Sequence, residues 1–136
     1  MTFCGPIEDR LAIRELIDTY ADAINRQDAA DWGDTWAEDG TWMIPDLPQF
    51  PVVHGRTAIV EAWKAAMTQF PGVIFSAAPG RIEIDGDHAS VRSYTYEIYD
   101  RDGSTRRDNG RYDDVCVKRD GKWYFLSRTF KSLRQT

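Results

Sequence analysis

The sequence predicts an α+β fold in which helices cover one face of a mainly antiparallel sheet. Up to residue 70, apolar side chains recur at steps of three and four. Beyond residue 73 they alternate at steps of two, and the runs break at Asp-Gly turns. Helices first and strands afterwards place the two kinds of element in separate layers. In the first helix, from Glu8 to about Gln27, Ile13, Leu16, Ile17, Tyr20 and Ile24 share one face, while Arg14, Asp18, Asp22 and Arg26 offer charge to solvent on the other. A shorter second helix is expected from Ala29 to about Ala37, with Trp32 and Trp36 inward and Gly40 closing it, and Thr41 to Ile44 reads as a brief strand. Three prolines between Pro45 and Pro51 remove backbone donors and make that segment a loop, a candidate rim for a pocket. The third helix starts at Gly55-Arg56-Thr57, carries Ile59, Ala62, Trp63, Ala66, Met67 and Phe70 inward, and ends at Pro71-Gly72. Four strands then follow, Val73–Ile84, Ala89–Tyr99, Gly110–Lys118 and Lys122–Ser132, and the turns Asp85-Gly86-Asp87, Asp102-Gly103 and Asp120-Gly121 imply an antiparallel meander. Both faces of these strands carry apolar residues, so the face away from the helices calls for cover, most simply from a second subunit.

A chain of 136 residues supports one domain, 1–136, with one core. Apolar residues make up 42% and charged residues 29%, which excludes a disordered polar chain, and no run approaches the roughly 20 apolar residues of a membrane span. Met1 to Glu8 lack the basic start and apolar run of a secretory signal, so the reading is a soluble, cytoplasmic protein. With 17 basic against 22 acidic residues the net charge is -5, which disfavours nucleic acid as a partner. Cys4 and Cys116 read as free thiols, and no Cys or His spacing supplies a metal site.

The runs Asp9-Arg10-Leu11-Ala12-Ile13-Arg14-Glu15-Leu16-Ile17, Tyr20 to Asp28 and Trp36-Ala37-Glu38-Asp39-Gly40 closely resemble the start of SnoaL-like proteins of the nuclear transport factor two-like superfamily. The likeness continues through His54-Gly55-Arg56-Thr57-Ala58-Ile59, Ile84 to Ala89, Gly110-Arg111-Tyr112 and Arg119 to Trp123, nearly the whole chain. This resemblance implies a cone, a curved sheet wrapped around three N-terminal helices with one deep apolar pocket, usually in homodimers or homotrimers. It also implies proton-transfer chemistry of the lyase or isomerase kind on a small cyclic or aromatic molecule, with no metal or redox cofactor. The alternative is a non-catalytic protein that binds a small apolar ligand in the same cone, and a third reading is a bare dimerisation module with the cone filled.

Site residues follow from the same resemblance. The Asp and His used by scytalone dehydratase and hexachlorocyclohexane dehydrochlorinase fall on Asn25 and Phe75, so that dyad is absent. In ketosteroid isomerase the oxyanion-hole Tyr matches Tyr20 and the protonated Asp matches Asp114, while the general base falls on Ile44, with Asp46 the nearest carboxylate. The pocket wall implied is Trp42, Phe70, Thr95, Glu97, Tyr112, Asp114 and Arg128. Asp114 is then the proton carrier, Tyr20, Asn25 and Tyr112 bind oxygen, and Arg128 and Glu97 form the electrostatic frame. Against these stand plainer readings. Asp114 and Arg128 can be a buried ion pair between strands, and a one-residue bulge would turn Glu97 outward. His54 and His88 read as surface residues, Asp18 and Asp22 as solvated, Cys116 as an inert filler, and Arg101, Arg106, Arg107 and Arg111 as part of a soluble turn.

Overall fold

The computed structural model describes residues 2–136. A two-residue strand β1 (Phe3–Cys4) precedes α1 (Ile7–Arg26), whose buried stripe is Ile13, Leu16, Ile17, Tyr20, Ala23 and Ile24. Gln27 takes the left-handed conformation that ends α1, and Asp28 immediately caps α2 (Ala29–Gly33) by accepting the Asp31 N–H. α2 is one turn long rather than reaching Ala37, because the chain from Trp36 already pairs as a strand. β2 (Trp36–Met43) runs parallel to the last strand of the chain, and Thr35 accepts the Phe125 N–H at 2.8 Å. Gly40 therefore sits inside β2, not at a helix end. A side chain there would meet the Ala37 carbonyl and the Trp36 ring at 3.0 Å, where the register shifts. Trp32 and Trp36 are both fully buried, as their spacing predicts, although they come from a helix and a strand.

The 45–51 segment is a loop, followed by β3 (Val53–His54) against β2 and by α3 (Arg56–Met67). α2 and α3 approach closely at Gly33, where a Cβ would lie 2.7 Å from Val60. Four long strands complete the chain, β4 (Ile74–Asp85), β5 (His88–Arg101), β6 (Ser104–Arg119) and β7 (Lys122–Gln135). The β5–β6 and β6–β7 turns place Asp102-Gly103 and Asp120-Gly121 at positive φ, the pairing that matches strand twist in a two-residue hairpin. β6 begins six residues earlier than Gly110, so Arg106 and Arg107 lie on the strand rather than in a turn.

The sheet order is β1-β4-β5-β6-β7-β2-β3, antiparallel except at β1–β4 and β2–β7. It is a curved, unclosed sheet around three helices. On β5 the inward residues are Ser93, Thr95, Glu97 and Tyr99, whereas Tyr94 and Tyr96 point outward and are exposed. No helix among the described residues is long and apolar enough to cross a membrane.

Candidate active site

The inward side chains form rows across the sheet, and the strand register fixes which residues share a row. Phe75, Glu97, Asp108 and Gln135 make the first, with Ala77, Thr95, Gly110 and Ser132 next. Ser93, Tyr112 and Phe130 follow, and then Val91, Asp114, Arg128 and Trp42. Neighbouring rows are about 7 Å apart, since an extended strand rises roughly 3.3 Å per residue. A cavity of about 230 Å³ lies between the first rows, α1, α3 and the loop after β2. Its walls are mostly aromatic, among them Tyr20, Trp42, Trp63, Phe70, Phe75 and Phe130, and Ile44 adds an aliphatic patch. Its polar lining includes three carboxylates, Asp46, Glu97 and Asp108, and no Lys, Arg or His.

Glu97 has no hydrogen-bond partner among the described residues. Removal from water, reinforced by the like charge of Asp108 directly opposite on β6, pushes its carboxyl up to about 7. Asp108 is itself held in place, accepting the Tyr99 hydroxyl at 2.8 Å. Two rows further along, the Tyr20 and Tyr112 hydroxyls lie 3.4 Å apart, and the Trp42 indole donates to the Tyr112 oxygen at 3.2 Å. Burial raises both phenols above their ordinary range, Tyr112 well above it, so both stay neutral and able to donate a proton in a hydrogen bond.

Behind this pair Arg128 is sandwiched by rings, its guanidinium carbon 3.8 Å from the Tyr112 centroid, 4.0 Å from Phe125 and 4.4 Å from Tyr20. The same guanidinium donates two bonds to Asp114, at 2.8 and 3.0 Å, with Arg128 1% and Asp114 4% exposed. Burial raises the Asp114 pKa and Arg128 opposes the rise. Burial also works against the Arg128 charge, which Asp114 more than restores. Neither residue lines the cavity, because Tyr112 stands between them and it. The role of proton carrier assigned to Asp114 is therefore corrected: its oxygens are spent on Arg128, one row too deep to meet a ligand. The Arg128 charge, set against both rings, partly offsets the effect of burial on the Tyr20 and Tyr112 hydroxyls.

Asn25 also lies outside the cavity. Its amide donates to the Phe75 carbonyl at 2.9 Å and accepts the Phe75 N–H at 2.7 Å, so it clasps the end of α1 to β4 and is no oxygen-binding donor. Thr95 points inward in the second row but is screened from the cavity. Tyr20, Trp42, Ile44, Phe70, Phe75, Glu97 and Tyr112 all line it. Asp108, Trp63 and Phe130 line it too, outside the wall that the resemblance implies. Asp108 is four residues before Tyr112, in phase with it, so extending that strand would have found it.

The family description of the SnoaL-like domain matches residues 6–129. Among solved structures, a provisional scytalone dehydratase from Novosphingobium aromaticivorans superposes with a TM-score of 0.84 at 23% identity, over 96% of this chain and 87% of that one. A hexachlorocyclohexane dehydrochlorinase, LinA type 2, gives 0.85 at 15% identity, over 96% and 88% of the two chains. A nuclear transport factor two-like protein with a cystatin-like fold, also from N. aromaticivorans, gives 0.74 at 25% identity, over 93% and 83%. No curated protein matches the chain.

Proposed function

The chain belongs to the SnoaL-like domain family, and from that premise we propose that it is a lyase or isomerase-type enzyme moving a proton on a small cyclic or aromatic molecule in its cavity. The observation that carries this reading is a carboxyl group of pKa about 7, Glu97, sharing one apolar cavity with the neutral hydroxyl pair Tyr20–Tyr112. A base is most effective when its pKa lies near the working pH, and Glu97 meets that condition. In the ionised form it takes a proton from a carbon next to a carbonyl or leaving group. Tyr20 and Tyr112 then donate hydrogen bonds to the oxygen on which charge develops. The protonated Glu97 returns its proton to a second carbon of the substrate, completing an isomerisation, or to a departing hydroxyl, which leaves as water. Three carboxylates and no basic side chain on the wall disfavour an anionic substrate.

A second reading, a protein that binds such a molecule without changing it, is favoured by Asn25 and Phe75 at the positions where similar enzymes carry an Asp and a His. The two are separated by screening the purified protein against small cyclic ketones, phenols, lactones and epoxides by thermal shift, then analysing products for every stabilising compound. Conversion that disappears in Glu97→Gln supports the enzyme. Stabilisation without conversion supports the binder.

A further inference from the structure

Between the Glu97 row and the Tyr112 row the wall of the cone is made of small residues, Ala77, Thr95 and Gly110. Such a row leaves a notch beside the cavity, and the notch is filled by one ring. A Cβ built on Gly110 would lie 2.2 and 2.3 Å from the Cζ and Cε1 atoms of Phe130, so the ring rests directly on that glycine. The same Cβ would lie 2.9 Å from the Thr95 Oγ1, which places the hydroxyl beside the ring at the end of the notch. Thr95 is 1% exposed and its hydroxyl finds no partner among the described residues. On its other side Phe130 lines the cavity and meets Tyr112 edge to face, with centroids 5.0 Å apart. A ring serving only as filler would have apolar atoms behind it, whereas this one covers a polar group in need of a partner.

We infer that Phe130 is the specificity-determining residue of the cavity, a plug in a side arm that ends on the Thr95 hydroxyl and lies between Glu97 and the Tyr20–Tyr112 hydroxyl pair. The inference rests on the reading of this cavity as a ligand site. With the plug in place the cavity takes a compact single-ring ligand. Without it the arm accepts a second ring and rewards a hydroxyl or carbonyl at its far end, since that group satisfies Thr95.

The test compares wild type, Phe130→Ala and Phe130→Leu by isothermal calorimetry with phenol, 4-phenylphenol and the hydroxyl-free 4-methylbiphenyl, after melting curves have shown each variant folded. Affinity is read without turnover, so failure of the proton-transfer reading leaves this result interpretable. Relative to wild type, Phe130→Ala should bind 4-phenylphenol at least about tenfold more tightly, with Phe130→Leu intermediate and phenol changing least. Adding Thr95→Val to Phe130→Ala should cut the gain for 4-phenylphenol and leave 4-methylbiphenyl unaffected. Gly110→Ala acts in the opposite sense. Its backbone is outside the left-handed region, so the methyl works through contact alone, driving the ring into the cavity and weakening phenol. The inference is overturned if folded Phe130 variants bind 4-phenylphenol no better than wild type does, including by not binding it at all. A gain insensitive to Thr95→Val would overturn the hydroxyl end of the arm.

Discussion

A carboxyl group held among aromatic side chains with no counter-ion keeps its proton to higher pH than one in water, and Glu97 is in that position. Its folded-state value of about 7 lies above the ordinary 4.5, so the folded chain binds the proton more tightly than the unfolded chain. The associated stability is fully present below about pH 4.5 and is lost as pH rises to about 7. By linkage that loss is on the order of 3 kcal/mol. Glu97→Gln, which cannot ionise, should match wild type at pH 4 and be the more stable of the two at pH 8, as read by urea unfolding at both pH values. Asp114 presents the opposite case, a buried carboxylate with a dedicated partner. Asp114→Asn leaves the Arg128 charge unpaired in the core and should cost about 3–5 kcal/mol. Asp114→Leu combined with Arg128→Met should recover much of that loss in the same unfolding assay. A folded Asp114→Asn that lost turnover with unchanged stability would return the proton to Asp114.

At the scale of elements, the cavity depends on how α1 meets the sheet. The Asn25 amide makes two bonds to the backbone of Phe75, whose ring is part of the cavity wall. Asn25→Ala removes both, and at about 1 kcal/mol per bond it should lower stability by roughly 1–2 kcal/mol and loosen ligand affinity through α1, read by melting temperature and calorimetry together. Asn25→Asp should lose less, since its carboxylate still accepts from Phe75. The elements that the residues announced are those with a long period of their own. α1, α3 and the three hairpins carry stripes or Asp-Gly turns that need no distant partner. Two-residue strands such as β1 and β3 exist only because β4 and β2 lie beside them, and nothing local in Phe3–Cys4 or Val53–His54 signals that. α2 stopped short for the same reason, as Trp36 found Phe125 across a gap of nearly ninety residues. The site divided along this line too. Aromatic residues such as Trp42 and Tyr112 are placed on the wall by the family resemblance, whereas the partner that occupies Asp114 and the row that separates it from the cavity depend on register between strands.

For the molecule as a whole, the helices cover the concave side of the sheet and leave Ile74, Tyr94, Tyr96 and Val115 exposed on or beside the convex one, Tyr96 by 53%. The expectation of a homodimer or homotrimer therefore has a concrete surface to test. Native mass spectrometry of wild type should show one closed oligomer, and Tyr96→Lys should shift it toward monomer while changing the unfolding free energy of the protomer by less than about 1 kcal/mol. Proton transfer through Glu97 is measured most directly as deuterium wash-in from D2O at a carbon next to the carbonyl of a bound cyclic ketone, followed by mass spectrometry as a function of pH. Uptake by wild type that rises with pH through an inflection near 7, and vanishes in folded Glu97→Gln, is the result predicted. Uptake that is unchanged by Glu97→Gln, or absent for every ketone the protein binds, would contradict it.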